Sequence, residues 1–322
     1  MKNWVFELHK NMAIKKRRDI LHIAIIGALL MSFGASFDAW WHVSMGRDSF
    51  FALPHLFIHS GVFVILGASF WAWRKQAHKA WKNIFLVLLL IPLSLPFDEI
   101  WHYFLGKESV ESVLIVWSPP HILLFVSAIT ALFLLTRMLH RKENMAAKQI
   151  FGAILLAVLL NLVFILTGPF FPFSPFAVIG FYGAAITSFV MSWVFFRATG
   201  LLPHVAPAFL VATFSIILQS TIADSGIVYA SRAIGSFPYI PGWILVLSQI
   251  TSAVAIDTQF IKNYTMRGLF SGIIGGLILY VLSLQFTDPA FHYTAAEAVI
   301  AVVFAGLGGA LAGYLHSKKP LL

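Results

Sequence analysis

"ILHIAIIGALLMSFGASFDAWWH" runs from Ile20 to His42. Most of it is one apolar stretch, long enough as a helix to cross a hydrocarbon core of about 30 Å. Its end turns polar. Asp38 and His42 lie four residues apart and so share one helix face. Similar apolar segments recur at about 54–73, 83–105, 119–139, 150–171, 175–197, 205–230, 238–260, 268–286 and 294–316. The chain is 59% hydrophobic and only 11% charged. A water-facing surface takes about 25% charged residues, so composition excludes a soluble globular protein. Runs of about 20 apolar residues specify helices rather than barrel strands. The expected fold is all-α: a polytopic transmembrane bundle of about ten helices.

Charge orients the segments. Lys15, Lys16, Arg17 and Arg18 precede the first; Arg74, Lys75, Lys79 and Lys82 follow the second. Arg137, Arg141, Lys142 and Lys148 follow the fourth, and Arg197 ends the sixth. Lys262 and Arg267 follow the eighth, and Lys318 and Lys319 the tenth. The intervening loops hold only Arg47, Lys107 and Arg232 as positive residues. By the positive-inside rule both termini are expected in the cytoplasm. The formal net charge of +9 is then a topology signal, and no nucleic-acid partner is implied. Residues 1–19 place Trp4, Leu8 and Met12 at helical spacing beside the basic run. They are read as an amphipathic or basic segment on the inner leaflet, with no cleavable leader expected.

The chain has no cysteine, which excludes disulfides, thiolate metal sites and iron–sulfur clusters. Any metal must be held by His, carboxylate, Met or backbone oxygen.

A second observation organises residues 20–140. "FDAWWHVSMGRDSFFALPH", Phe37 to His55, has a partner in "FDEIWHYFLGKESVESVLIVWSPPH", Phe97 to His121. Asp38 to Asp98 is 60 positions, as is His42 to His102. This is a tandem repeat of a helix hairpin. In each copy an Asp-xxx-His ends the first helix, and a Pro-His opens the return helix, where Pro is favoured. The hairpin brings His55 back to the depth of His42, and His121 to that of His102. Each copy therefore offers two imidazoles and a carboxylate at one level. That set suffices for copper or a divalent first-row metal. A lone Asp-xxx-His is more often a hydrogen-bonded helix end; the repetition is what favours a metal, because ionisable groups in membrane segments are costly.

Neighbouring residues have two readings each. Trp41 and Trp101 either belong to an interfacial aromatic belt or wall the site. His59, one turn from His55, is a further ligand, a supporting partner or a core histidine. Arg47 and Asp48 form a loop ion pair or orient the ligands. Glu99 points about 100° from Asp98 around the helix. In residues 141–322, a further helical region poorer in polar groups, Asp224 is a candidate proton or substrate site or a helix-packing group. The glycine series Gly268, Gly272, Gly276 and Gly309, Gly313 is read as close helix packing.

"DAWWHVSMGRD…PH" resembles the metal-binding membrane segment of the copper-containing membrane monooxygenases, the particulate methane and ammonia monooxygenases. That family shows Asp-xx-Trp-His, an Arg-Asp pair, and a His thirteen positions after the first. Asp38, Trp41, His42, Arg47, Asp48 and His55 match it residue for residue. "SPPHILLF" around His121 resembles the segment at the family's second histidine. The resemblance covers about a third of the chain and implies copper at Asp38, His42 and His55. It implies a second site at Asp98, His102 and His121. The chain departs from the family in the nineteen-residue spacing from His102 to His121 and in six additional helices. It has nothing like the soluble cupredoxin-like domains found elsewhere in those enzymes.

The expected function is that of an integral membrane copper protein, oxidising a small apolar substrate with dioxygen. Trp41 and Trp101 would keep the pocket apolar. The expected setting is the cell membrane, with the metal motifs near its extracytoplasmic face. The bilayer is an expected partner, with other membrane proteins or further copies of the chain as candidates. The rivals are a non-catalytic copper-handling or transport protein, a non-haem iron enzyme using the same donors, and a structural role for both motifs. Zinc is a further candidate ion for these donors.

Overall fold

The computed structural model describes residues 20–38, 41, 51–75, 79–105, 118–138, 146–167, 177–201, 206–220, 242–258, 260–285 and 294–318. Among these residues the fold is all-helical, with ten helices in chain order. They are α1 (Ile20–Asp38), α2 (Leu53–Arg74), α3 (Lys79–Leu88 and Leu90–Leu105), α4 (Pro119–Arg137) and α5 (Ala146–Thr167). There follow α6 (Ala177–Leu201), α7 (Pro207–Ser220), α8 (Gly242–Asp257), α9 (Tyr264–Gly276) and α10 (Ala295–Lys318). Six helices are long and apolar enough to cross a membrane, and the protein is an integral membrane protein. The ten segments read from hydropathy correspond to these ten helices in order.

Local chemistry sets the helix ends. Pro54 sits in the first turn of α2. Ser118 caps α4 by accepting the His121 N–H at 3.3 Å, with Pro119 and Pro120 opening the helix. Asn263 caps α9 by accepting the Met266 N–H at 3.2 Å. Thr294 and Glu297 form a reciprocal capping box at α10. The interruption of α3 at Leu89 has a similar origin: Pro92 lacks an N–H, and its ring crowds the carbonyl of Leu88 one turn earlier.

Small residues set the distances between helices. Gly27 of α1 and Gly61 of α2 face each other, so the first hairpin closes backbone to backbone. Gly268 and Gly272 of α9 meet the carbonyls of Gly309 and Ala305 on α10, and Gly313 meets that of Tyr264. The glycine series thus forms the α9–α10 seam. α10 also packs on α6, and α8 on α9. Lipid offers no hydrophobic force between helices, so polar side chains supply part of the adhesion. Ser248 donates to the Gly275 carbonyl at 2.9 Å, and Ser252 and Ser271 each donate to the other's carbonyl at 3.1 and 3.0 Å. α9 continues through a π turn at Leu277–Val281 into a 3₁₀ turn at Leu282–Gln285. One apolar core runs through the bundle from Ile20 to Ala312.

Candidate functional site

The repeat is spatial as well as sequential. In the first hairpin, Asp38 is the last residue of α1 and His55 lies in the first turn of α2. His55 Nε2 is 3.0 Å from Asp38 Oδ1. In the second hairpin, Asp98 projects from α3 and His121 from the first turn of α4. His121 Nε2 is 3.5 Å from Asp98 Oδ1. The side chains are 25% and 23% exposed in the first pair and 24% and 26% in the second, so both pairs are equally reachable from outside the bundle. In both, Oδ1 itself is sealed from solvent and faces the imidazole.

Two ligands of one ion, each bonded at about 2.0–2.2 Å and separated by 90–109°, lie about 2.9–3.5 Å apart. Both pairs fall on that edge length. The first is also at ordinary hydrogen-bond distance, whereas the second lies beyond the usual 2.7–3.2 Å range. Each pair provides one carboxylate oxygen and one imidazole nitrogen. Among the described residues no group of three His, Asp or Glu side chains converges. His42, the expected third donor of the first set, lies outside the described residues. His102 falls in α3, but its side chain is not among those described.

Aromatic groups surround the first pair. Phe37 stacks edge-on against Trp41 at 5.8 Å, and Phe33 meets Phe57 at 5.0 Å. Trp41 thus belongs to a ring cluster at the end of α1. The His59 ring lies 6.0 Å from that of His55 and half-buried. It lies one turn further along α2 than His55. Trp101 is half-buried on α3, near Asp98 in sequence. Arg47, Asp48 and Asp224 lie outside the described residues. On α3 the stripe Leu93, Phe97, Ile100 and Phe104 is exposed beside Asp98.

Asn161 carries no signal of its own in the sequence except as a lone amide inside an apolar run. It is fully buried on α5 and donates to Ser32 at 2.8 Å and Ser36 at 3.0 Å, both on α1. This ties α5 to α1 within one turn of Asp38. Asp257, at the end of α8, accepts the backbone N–H groups of Ala208 at 3.1 Å and Phe209 at 2.9 Å. It therefore caps α7 from another helix. That role was invisible locally, because the cap lies 49 residues away from Ala208 in sequence.

Compared with known protein families, curated proteins and solved structures, the chain matches none.

Proposed function

We propose that the protein is a multi-pass copper protein of the cell membrane, with one site in each repeated hairpin near the extracytoplasmic face. Asp38 and His55 would hold the first ion with His42; Asp98 and His121 would hold the second with His102. The observation that carries this reading is the double Asp–His approach, at 3.0 and 3.5 Å. Both distances fit neighbouring ligands of one ion, and the donor set suits copper, with iron and zinc as alternatives. Bound copper supplies one-electron and dioxygen chemistry to such a site. The chain's residues do the rest. Pro54 and Pro120 fix the return helices, so each histidine starts at the depth of its aspartate. Phe37 and Trp41 keep the surroundings of the first pair apolar. The exposed stripe Leu93, Phe97, Ile100 and Phe104 offers a lipid-dissolved apolar molecule a route to the second pair. The oxidation of a small apolar substrate with dioxygen follows from this setting and from the monooxygenase resemblance. The resemblance also makes other membrane proteins, or further copies of the chain, candidate partners.

The 3.0 Å contact favours a second, non-catalytic reading, in which Asp38 and His55 clasp the first hairpin by a hydrogen bond. Metal analysis separates the two. Protein purified from cells supplied with copper, iron and zinc should carry about two coppers per chain, with the paramagnetic signature of nitrogen and oxygen ligation. Less than a tenth of an equivalent of any metal would leave the clasp as the function of both motifs.

A further inference from the structure

At the end of the bundle remote from His121, four helix termini converge, and among the described residues their positive charge is unbalanced. Arg197, near the end of α6, is only 4% exposed. Its Nε is buried and donates to no acceptor, and no carboxylate pairs with Arg197 among the described residues. A buried, uncompensated guanidinium is expensive, since several kcal/mol of hydration are lost with nothing opposite.

Its neighbours add to the charge. Arg137, at the exposed end of α4, acts electrostatically on Arg197. α4 and α6 meet there through the Phe133 and Trp193 rings at 4.9 Å, and the Arg137 guanidinium lies over Phe133. On the other side, the His316 ring of α10 stacks on Phe196 at 5.1 Å. Tyr264 of α9 closes on the same imidazole at 4.9 Å. Arg197 and Arg267 both act electrostatically on His316. Arg267 is already committed: its guanidinium donates to the carbonyls of Ile256 and Ile261. Asp257, the carboxylate that acts on Arg267, is held by the start of α7. Among the described residues that leaves Arg197 and Arg137 with donors to spare, with His316 stacked on the neighbouring Phe196. Three of the converging termini are helix C-terminal ends, whose carbonyls ease the charge without neutralising it.

We propose that Arg197, Arg137 and His316 form a binding site for a phosphate-bearing anion. The guanidinium fork matches phosphate oxygens, and its weak hydration makes arginine the cation of choice for buried phosphate. The aromatic collar of Trp193, Phe196 and Tyr264 is typical of the headgroup layer. Basic pockets between helices at a membrane's cytoplasmic side take anionic headgroups, and the basic loops assign this end to that side. The phosphate belongs either to such a lipid or to a free phosphate.

The test uses the full chain, purified in an uncharged maltoside detergent. Short-chain phosphatidylglycerol, phosphatidylcholine and inorganic phosphate are added separately, and binding is read by native mass spectrometry and thermal unfolding. Phosphatidylglycerol should bind and raise the melting temperature where phosphatidylcholine does not. Arg197→Gln should weaken that binding at least tenfold, as expected for a charge-assisted contact, while Arg197→Lys retains much of it. A response to inorganic phosphate alone would assign the site to a free anion. Equal responses to all three additives, or an unchanged response in Arg197→Gln, would overturn the proposal. If Arg197→Gln does not fold, Arg137→Gln, at an exposed position, decides: it should lower affinity severalfold, and no change refutes the site.

Discussion

Gly268→Ala and Gly67→Ala are the same chemical change and should have opposite effects. Both glycines sit inside helices, where alanine is intrinsically better by about 1 kcal/mol. A Cβ at Gly67 meets nothing within 4 Å, so only that helix preference acts. A Cβ at Gly268 runs into the carbonyl of Gly309, with the Gly313 amide nitrogen 3.3 Å away. These are backbone atoms of α10, and no side chain can rotate away. The helices must separate, losing contacts along the α9–α10 seam. Overpacking of this kind costs about 1–3 kcal/mol, and here the obstacle is rigid. Gly67→Ala should therefore be neutral or stabilising by up to about 1 kcal/mol. Gly268→Ala should be destabilising by about 1–3 kcal/mol after the helix gain is included. A gap of about 2 kcal/mol is roughly thirtyfold in the unfolding equilibrium. Reversible unfolding in mixed micelles, with increasing dodecyl sulfate and helical ellipticity as the signal, resolves such a difference. If Gly268→Ala proves as stable as Gly67→Ala, the close approach of α9 and α10 is wrong.

Asp257→Ala removes the acceptor of two N–H groups at the start of α7 and should cost about 1–2 kcal/mol, with Asp257→Asn recovering part of it, in the same unfolding assay. Asn161→Ala breaks two buried hydrogen bonds to α1; at about 0.6–1.7 kcal/mol each in a membrane protein, the loss should be about 1–3 kcal/mol, and stability unchanged from the parent would contradict the bridge. His55→Ala should release one metal equivalent and leave the other in place, His121→Ala should do the converse, and the double variant should bind none. Mass-spectrometric metal counting reads all three, and full loss from either single variant would mean one shared ion.

The helices were legible because membrane spans announce themselves by length and composition. Ile20–Asp38 and Ala295–Lys318 follow from apolar runs alone. The α9–α10 seam was legible for a related reason: small residues four apart have few uses in a lipid-facing helix besides close approach. What could not be read was which distant polar groups would meet. Asn161 is one amide in an apolar run, and nothing local says that Ser32 and Ser36 lie opposite. Asp257 ends a helix whose serines are equally unremarkable, yet its carboxylate caps α7. Arg197 illustrates a different limit. As a loop-end cation it reads as a topology signal, and only the packing of α4, α6 and α10 shows that it is buried. The break at Leu89 and the π turn at Leu277–Val281 depend on backbone relief that hydropathy does not register. The pairing of Asp38 with His55 was accessible from sequence only because a second copy repeats it.

That second copy also bears on whether the two pairs act as one site. Asp38 to His55 spans 17 positions and Asp98 to His121 spans 23. The extra residues fall between His102 and His121. A difference of six residues would displace a helix by about 9 Å if the helices absorbed it. The histidine nevertheless returns to the aspartate in both hairpins, at 3.0 and 3.5 Å. The six additional residues have not carried the start of α4 away from Asp98. Each aspartate finds its imidazole within its own hairpin. A single ion drawing donors from both hairpins would have to compete with both of these contacts. Two separate sites ask for no rearrangement of the helices. The hairpin is therefore the unit on which substitutions should act.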